Sequence, residues 1–408
     1  MAENDRYIYA DNAATTPLSP RALDAMMPYL TGRFGNPSGI HRVSCDAAEA
    51  LAELRGQMAR LIGARAAGEV YFTSGGSESD NWVLRGAVAR FRDLHAGDGL
   101  RPCVVTSAIE HHAVLHCCDA LEHEGVEIVL LPVDAAGRVH ETDLEAALAA
   151  AEGRVALVSI MLANNEVGTV QDIARLAAVA HAHGAPFHTD AVQAVGHIPV
   201  SVEELGVDAL SLSAHKFHGP RGIGALYLRE GFSIPPLIAG GAQERGERAG
   251  TENLAGIAGM VAALEECADG LEERMRRVAG LRDRLVAAVL AGVDDVRVTG
   301  DADGGAGAGR RRRLPSIASF VCHDVDGELL MVLLDRAGVA AATGSACATG
   351  STDPSHVVVA LGIDDPRWSH GSLRLSLADD VSEENVALLC ERVPACIRRC
   401  RMLSGTIA

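Results

Sequence analysis

The sequence predicts an α/β fold in which a mainly parallel, seven-stranded sheet lies between layers of helices, with a smaller α+β domain beside it. Two observations support this prediction. Seven apolar, β-prone runs alternate with helical stretches, a pattern typical of a parallel sheet covered on both faces. The chain has 408 residues, 48% of them hydrophobic, which is enough to bury a large core and usually divides into two domains. The seven runs are residues 70–73, 103–106, 126–132, 155–161, 186–188, 209–213 and 223–228.

The remaining elements follow in order along the chain. The helical stretches between the apolar runs are residues 80–92, 113–124, 142–151 and 173–183. A long helix is then predicted over 254–290, with an interruption at Gly270 because glycine weakens a helix interior. The second domain follows, with strands near 296–299, 317–321 and 373–377 and helices at 327–337 and 382–402. We therefore expect a large domain over 15–255 and a small domain over 256–408.

Charge and composition exclude several classes of function. The chain carries 36 basic and 54 acidic residues, so its net charge is −18 and it offers no extended basic face for direct binding of nucleic acid. Its first six residues are mostly polar, no signal-peptide core follows them, and no apolar run approaches membrane-spanning length. The ten cysteines are expected to be mostly reduced thiols. We predict a cytoplasmic protein that has no membrane partner and no metal site.

The most informative residue is Lys216, which follows the apolar run 207–212 and precedes a glycine-rich turn. Taken alone, it could be an ordinary surface lysine between two strands. Backed by Ser213 and His215 at a strand end, it could instead be partly desolvated and therefore nucleophilic. The common use of such a lysine is a Schiff base with pyridoxal phosphate.

A possible partner for the same cofactor is Asp190, which follows the apolar residues Pro186 and Phe187. Ligand-binding residues of open α/β sheets gather where parallel strands end. A carboxylate there can pair with a protonated pyridine nitrogen and keep the cofactor an electron sink. Gln193 is three residues further on and would reach the phenolic oxygen of the ring. Taken alone, an aspartate at this position would more often cap a helix.

A phosphate cradle is predicted at residues 72–81, where a strand, a turn of small residues and the start of a helix follow one another. Backbone N–H groups and the positive end of the helix dipole would face an anion there. The stretch has neither the lysine of a P-loop nor the glycine spacing of a dinucleotide fold, which argues against a nucleotide.

Two further polar clusters follow strands. Residues 109–114 place histidines at a strand end, where one could stack on the pyridine ring and exchange protons near neutral pH. Residues 162–168 place two adjacent amides, Asn164 and Asn165, after the run 155–161, where they could donate hydrogen bonds to a carboxylate or to an oxygen of the cofactor. Any one of these clusters would more often be a turn, but five of them at the ends of five apolar runs indicate a shared site.

These motifs make the chain resemble the NifS/IscS-type cysteine desulfurases, pyridoxal phosphate enzymes of fold type I. The resemblance also rests on residues 9–17, 36–38, 248–251, 343–349 and 372–376, so it covers nearly the whole length. It implies that residues 1–14 pack alongside the small domain. It further implies a homodimer, L-cysteine as substrate and a sulfur-acceptor protein such as an iron–sulfur scaffold.

The resemblance assigns roles to individual residues. Lys216 would hold the cofactor and act as base, Asp190 would pair with the pyridine nitrogen, and His111 would stack on the ring and shuttle protons. Asn165 and Arg374 would bind the substrate carboxylate. The phosphate would be held by Gly76, Ser77, Ser213 and His215, and by Thr251 from the other subunit. Ser77 stands where the family commonly has threonine, and it keeps the hydroxyl.

Cys347 is the residue that separates this reaction from other pyridoxal phosphate chemistry. It lies in a stretch of small residues, 340–352, that is expected to be mobile because it offers little to anchor in a core. A small buried thiol is the ordinary interpretation of this pattern. Beside a lysine-bound cofactor it suggests a sulfur acceptor, since its thiolate could attack the substrate sulfur to give a persulfide and alanine.

Three alternatives remain open at this point. Another aminotransferase-like enzyme would share Lys216 and Asp190 but would not need Cys347. A selenocysteine lyase would prefer the selenium analogue of the substrate. A catalytically silent binding protein would keep the fold but typically lose the lysine or the cysteine, and both are present here.

Overall fold

The computed structural model describes residues 7–301, 312–344 and 353–404. In these ranges three sheets are formed by the strands β1 Ile8–Tyr9, β2 Val70–Thr73, β3 Cys103–Ser107, β4 Glu127–Leu131, β5 Val155–Ser159, β6 Phe187–Asp190, β7 Ala209–Ser213, β8 Gly224–Leu228, β9 Val296–Val298, β10 Ile317–Cys322, β11 Val339–Ala340 and β12 Ser372–Ser376. The helices are α1 Pro20–Leu30, α2 Arg42–Leu61, α3 Gly76–Leu94, α4 His112–His123, α5 Glu141–Ala150, α6 Ile173–Ala182, α7 Val202–Leu205, α8 Leu254–Ala268, α9 Leu271–Gly292, α10 Gly327–Arg336, α11 His356–Ala360, α12 Pro366–Ser369 and α13 Glu383–Ser404.

The central sheet of the described chain has seven strands in the order β2-β8-β7-β6-β5-β3-β4. The pairs among β4, β3, β5, β6 and β7 are parallel, whereas β8 runs antiparallel to both β7 and β2. The predicted mainly parallel, seven-stranded α/β architecture is thus confirmed. Because β3, β5, β6 and β7 are parallel, the polar residues that follow them meet at one edge of the sheet.

The apolar sequence of the strands explains why the sheet is covered on both faces. Strands β5, β7 and β8 are buried along their whole length. One face packs against α3 and α4 in a cluster that includes Trp82 and Leu84. The other face lies in a larger cluster with residues of α2, α6 and α8, including Met58, Leu176 and Ile257.

The C-terminal part forms a separate cluster around an antiparallel sheet of order β12-β10-β9. Ile8 and Ala10 lie in this cluster, and β1 pairs in parallel with β11. The long helix predicted over 254–290 is two helices, because Gly270 adopts a left-handed φ of 64° between α8 and α9. The exact domain boundaries at 14/15 and 255/256 stay predictions.

One buried and one partly buried ionic contact tie distant segments together. Glu244 accepts hydrogen bonds from Arg55 Nη1 at 2.5 Å and Nη2 at 2.7 Å, and also from the backbone N–H of Phe72 at 3.2 Å. Asp379, near the end of the chain, lies 3.8 Å from His197 Nδ1 and 3.7 Å from His218 Nε2. The first contact joins the segment after β8 to α2 and β2, and the second joins the two apolar clusters.

The nine cysteines in the described ranges form no disulfide with one another. No helix in the part of the chain that the structure describes is both long enough and apolar enough to cross a membrane.

Candidate active site

A cavity of about 280 Å³ opens at the edge of the central sheet where β3, β5, β6 and β7 end. Ten of the residues singled out from the sequence line it: Gly76, Ser77, His111, Asn165, Asp190, Gln193, Ser213, His215, Lys216 and Arg374. The cavity is also lined by residues to which sequence reasoning assigned no role, namely Ala13, Ala14, Asp80, Met161 and Val192.

Lys216 is held at the end of β7 by the N-terminal segment. A short 3₁₀ turn, Ala214–Lys216, follows the strand and turns the lysine into the cavity. Its Nζ donates to the carbonyl oxygens of Ala13 at 2.7 Å and Ala14 at 2.8 Å. On the opposite side, His197 Nε2 donates to the backbone oxygen of Lys216 at 2.8 Å. Both ends of the residue are therefore positioned by groups far away in sequence.

Asp190 is the last residue of β6 and is almost fully buried. Its Oδ1 accepts the backbone N–H of Val192 at 2.8 Å. Burial raises the pKa of Asp190 to about 6, although the Val192 hydrogen bond and the positive charge of Lys216 both favour the ionised form. At pH 7 the group is therefore mostly a carboxylate, and a cation placed beside it would lower its pKa further.

Two more buried acids surround Asp190. Burial, and then the charge of Asp190, raises the pKa of Asp80 well above its ordinary value, and burial raises the pKa of Glu110 to about 8. At pH 7 Glu110 is therefore mainly neutral, and Asp80 holds its proton more tightly than an ordinary aspartate, whereas Asp190 is mostly ionised. Asp80 could have been found from the sequence, because it lies three residues after Ser77 and so shares its helix face.

His111 is the N-cap of α4, and its Nδ1 accepts the backbone N–H of Ala113 at 3.1 Å. Burial lowers the pKa of His111 to about 4, with a smaller contribution from the charge of Lys216. The ring is therefore neutral at pH 7. Because Nδ1 is an acceptor, the ring carries its proton on Nε2.

The N-terminus of α3 supplies an anion cradle. The first backbone N–H groups of a helix have no acceptor within the helix, and the N-cap here is Gly75, which has no side chain to satisfy them. Gly76, Ser77, Ser213 and His215 line the cavity beside this helix end. A phosphate would find backbone N–H groups and hydroxyl groups converging on it.

Arg374 and Asn165 line one wall of the cavity, Asn165 from the loop after β5 and Arg374 from β12. Arg374 Nη1 donates to the backbone oxygen of Asn165 at 2.9 Å, and Nη2 donates to Asp11 Oδ1 at 2.7 Å. The Nε of Arg374 is buried and makes no hydrogen bond within the described ranges. A carboxylate bound there would supply the missing acceptor.

The site was also predicted to include Gln193, Thr251 and Cys347. Gln193 Nε2 donates to the backbone oxygen of Ala13 at 2.9 Å, so its amide is already engaged. Thr251 lies in a different cavity, beside Ser74 and Arg248, and is not brought to Lys216 within one chain. Cys347 lies outside the described residues, so its predicted role as sulfur acceptor stays a prediction.

The residues present fit pyridoxal phosphate. Gly75 and the start of α3 would receive the phosphate, and the buried carboxylate of Asp190 would receive a protonated pyridine nitrogen. Lys216 provides the amine and His111 a neutral ring at the same cavity.

Comparison with known proteins identifies the family. The model of the aminotransferase class-V family matches residues 8–389. The chain is 46% identical over 398 residues to a cysteine desulfurase of Cereibacter sphaeroides, covering 97% of each protein. It is 41% identical to the cysteine desulfurase NifS of Azotobacter vinelandii, covering 97% of this chain and 94% of the relative.

Solved structures agree with this placement. A NifS-like protein superposes with a TM-score of 0.85 at 33% identity, covering 96% of this chain and 100% of the other. SspA in complex with cysteine superposes with a TM-score of 0.74 at 31% identity, covering 90% of this chain and 98% of the other. The chain therefore belongs to the class-V aminotransferase family and, within it, to the NifS/IscS-type cysteine desulfurases, which depend on pyridoxal phosphate.

Proposed function

We propose that this protein is a cysteine desulfurase that converts L-cysteine to L-alanine and carries the sulfur as a persulfide on Cys347. The observation that supports this best is the single cavity in which Lys216, Asp190, His111 and Arg374 meet. Relatives with 41–46% identity over nearly the full chain bear the name cysteine desulfurase. A solved neighbour was obtained in complex with cysteine.

Substrate binding depends on Arg374 and Asn165. The guanidinium group has one buried Nε–H without an acceptor in the described structure, and it is held in place by Asp11 and the backbone of Asn165. It would bind the carboxylate of L-cysteine, with the Asn165 amide as a second donor. This places the amino end and Cα of the substrate toward Lys216.

Proton transfer is assigned to two residues, Lys216 and His111. Pyridoxal phosphate, when bound, supplies an electron sink for the pair left on Cα after a proton is removed, and the Asp190 carboxylate maintains it. The Lys216 amine, freed from the Ala13 and Ala14 carbonyl oxygens, would take the Cα proton. His111, neutral with its proton on Nε2, would move a proton at the substrate sulfur.

Sulfur transfer completes the reaction. The Cys347 thiolate attacks the substrate sulfur, so that a new S–S bond forms while the Cβ–S bond breaks. The electron pair of the broken bond stays with the substrate carbon skeleton, which gains protons and leaves as alanine. L-cysteine and the Cys347 thiol thus yield L-alanine and a Cys347 persulfide, without any external oxidant.

We also propose a homodimer in which Thr251 completes the phosphate cradle of the partner subunit. Thr251 is exposed and lies away from Lys216 in its own chain, as this arrangement requires. Exposed apolar side chains near α1, including Leu30, Phe34 and Ile40, would be covered by the second copy. A cytoplasmic location and a sulfur-acceptor protein, for iron–sulfur cluster assembly or for thiolation of cofactors or tRNA, complete the proposal.

The experiment supplies L-cysteine to the cofactor-loaded protein and quantifies alanine, sulfide and the mass of the Cys347 peptide. We expect alanine in step with sulfide when a reductant is present, and one added sulfur atom on that peptide when it is absent. Cys347→Ser should form neither persulfide nor sulfide, whereas Cys45→Ser, at an exposed cysteine elsewhere, should behave as wild type.

The same assay separates the alternatives. Preference for selenocysteine over cysteine would indicate a selenocysteine lyase. Amino transfer to a keto acid without release of sulfur would indicate another aminotransferase-like enzyme. Desulfurase activity that survives in Cys347→Ser would place the sulfur acceptor elsewhere.

A further inference from the structure

The buried carboxylate of Glu166 has no part in the proposed chemistry, yet Glu166 directly follows Asn165, which lines the cavity. Its backbone is fixed by Asn164, whose Oδ1 accepts the N–H groups of Glu166 and Val167 at 2.9 Å each. Asn164 is anchored in turn through Nδ2, which donates to the oxygen of Ile109 at 2.9 Å. Glu166 itself is 5% exposed. A buried carboxylate is costly unless it is paired, so its contacts identify its task.

One contact of Glu166 is with Ser355, at the start of α11. The Ser355 hydroxyl donates to Glu166 Oε2 at 2.5 Å. The Ser355 hydroxyl oxygen in turn accepts the backbone N–H groups of Val357 at 3.1 Å and Val358 at 3.4 Å. Because these two N–H groups occupy the acceptor side of the hydroxyl, its own proton is directed to Glu166.

The other contact is with Gly344. A Cβ placed on this glycine would lie 2.3 Å from Glu166 Oε2 and 3.0 Å from Ser355 Cβ. The absence of a side chain therefore lets the backbone of Gly344 pack directly against the carboxylate. Gly344 N also donates to Ser372 Oγ at 3.3 Å, which ties this point to β12.

Gly344 and Ser355 stand on either side of Cys347 in the sequence. One carboxylate therefore contacts the chain before and after the proposed sulfur acceptor. Glu166 also follows Asn165 directly. Burial raises the pKa of Glu166 to about 7, although the Ser355 hydrogen bond and the charge of Arg374 both favour the ionised form. The residue thus connects the proposed substrate-carboxylate wall with both flanks of Cys347.

We propose that Glu166 is a positioning residue for sulfur transfer. By accepting a hydrogen bond from the Ser355 hydroxyl and packing on Gly344, it fixes the two residues that flank Cys347 in the chain. This inference rests on the proposed function, in which Cys347 receives the sulfur. It predicts that loss of Glu166 impairs the step at Cys347 more than the earlier proton transfer at Cα, which depends on Lys216.

The test compares Glu166→Ala with Glu166→Gln in single-turnover reactions of the cofactor-loaded protein with L-cysteine. Two rates are followed: the absorbance change of the bound cofactor and the gain of one sulfur on the Cys347 peptide. In Glu166→Ala the rate of sulfur gain on the Cys347 peptide should fall on the order of 10- to 100-fold, because the reacting group is misplaced. The rate of the absorbance change should stay near wild type. Glu166→Gln keeps a carbonyl oxygen for Ser355 and should recover most of the loss.

Variants of the two partners extend the test. Ser355→Ala and Gly344→Ala should slow persulfide formation selectively, whereas Ser355→Thr, which retains the hydroxyl, should do so less. Ser201→Ala is a matched control, because Ser201 caps the short helix α7 in the same way, through the N–H of Glu204 at 3.3 Å, but lies away from the cavity. It should leave both rates unchanged.

A readout independent of activity uses hydrogen exchange in the cofactor-free protein. Loss of Glu166 should speed exchange of the Val357 and Val358 amides, which Ser355 caps, and Glu166→Gln should protect them. The positioning role is refuted if Glu166→Ala slows both rates equally, if Glu166→Gln is as impaired as Glu166→Ala, or if the two amides exchange as in wild type. If wild-type protein forms alanine but no Cys347 persulfide, the proposed function itself is wrong at that step, and the role of Glu166 falls with it.

Discussion

Substitution of Gly76 by alanine tests the phosphate cradle at the start of α3. An added Cβ would lie 2.6 Å from Val192 Cγ2 and 3.8 Å from Ser213 Cβ. Val192 cannot move without consequence, because its backbone N–H donates to Asp190 Oδ1 at 2.8 Å. A single methyl group should therefore disturb both proposed ends of the cofactor site, the phosphate cradle and the pyridine partner.

The structure sets the size of the expected loss of affinity for pyridoxal phosphate. The new methyl must reach at least 3.0 Å from Val192, a separation below which real Cβ contacts are essentially never found. Overpacking of this kind costs about 1–3 kcal/mol. If that cost falls on the cofactor-bound state, the dissociation constant for pyridoxal phosphate rises roughly 5- to 150-fold.

The assay is reconstitution of the cofactor-free protein with pyridoxal phosphate, followed by absorbance. Gly280→Ala is the matched control, since its added Cβ meets nothing within 4 Å on α9 and should leave affinity unchanged. Adding Val192→Ala to Gly76→Ala should restore affinity because it removes the clashing methyl groups. Unchanged affinity in Gly76→Ala, or no recovery in the double variant, would refute the proposed cradle.

Three further predictions follow from charged groups. Asp190→Asn should lower alanine formation about 10²- to 10³-fold by removing a preorganised charge, while the protein still takes up the cofactor; near-normal turnover would contradict its assignment. Glu244→Ala should lower the free energy of unfolding in urea by about 3–5 kcal/mol because it leaves Arg55 buried and unpaired. Glu203→Ala removes an exposed ion pair and should change that free energy by less than about 1 kcal/mol; equal losses would refute the argument. The positive charges of His197 and His218, 3.8 Å and 3.7 Å away, hold the pKa of Asp379 below its ordinary value despite its burial. Its stabilising contribution is therefore present above the unfolded pKa of about 3.9 and is lost as pH falls. The melting temperature of Asp379→Asn should therefore change less between pH 5 and strongly acidic pH than that of wild type. If the melting temperatures of the two proteins fell in parallel with pH, Asp379 would not contribute to the acid sensitivity.

The local sequence was sufficient to predict the main architecture. Burial on both faces of a parallel strand requires an uninterrupted apolar run, and such runs are visible without any partner. Polar residues that follow these runs, such as Asp190 and Lys216, must then meet at one sheet edge because parallel strands end on the same side. Resemblance to a family supplied Arg374 and Cys347, whose roles no local pattern could have assigned.

Other features were decided only by tertiary contacts. The antiparallel direction of β8 and the engagement of Lys216 by Ala13 and Ala14 depend on segments far apart in the chain. The raised pKa of Asp80 and the lowered pKa of His111 follow from burial, which no motif encodes. The placement of Glu166 between Gly344 and Ser355 joins residues almost 190 positions apart. Hydrophobic periodicity is a local property that the sequence displays directly, whereas the direction, charge and partner of a buried polar group arise only when distant segments pack together.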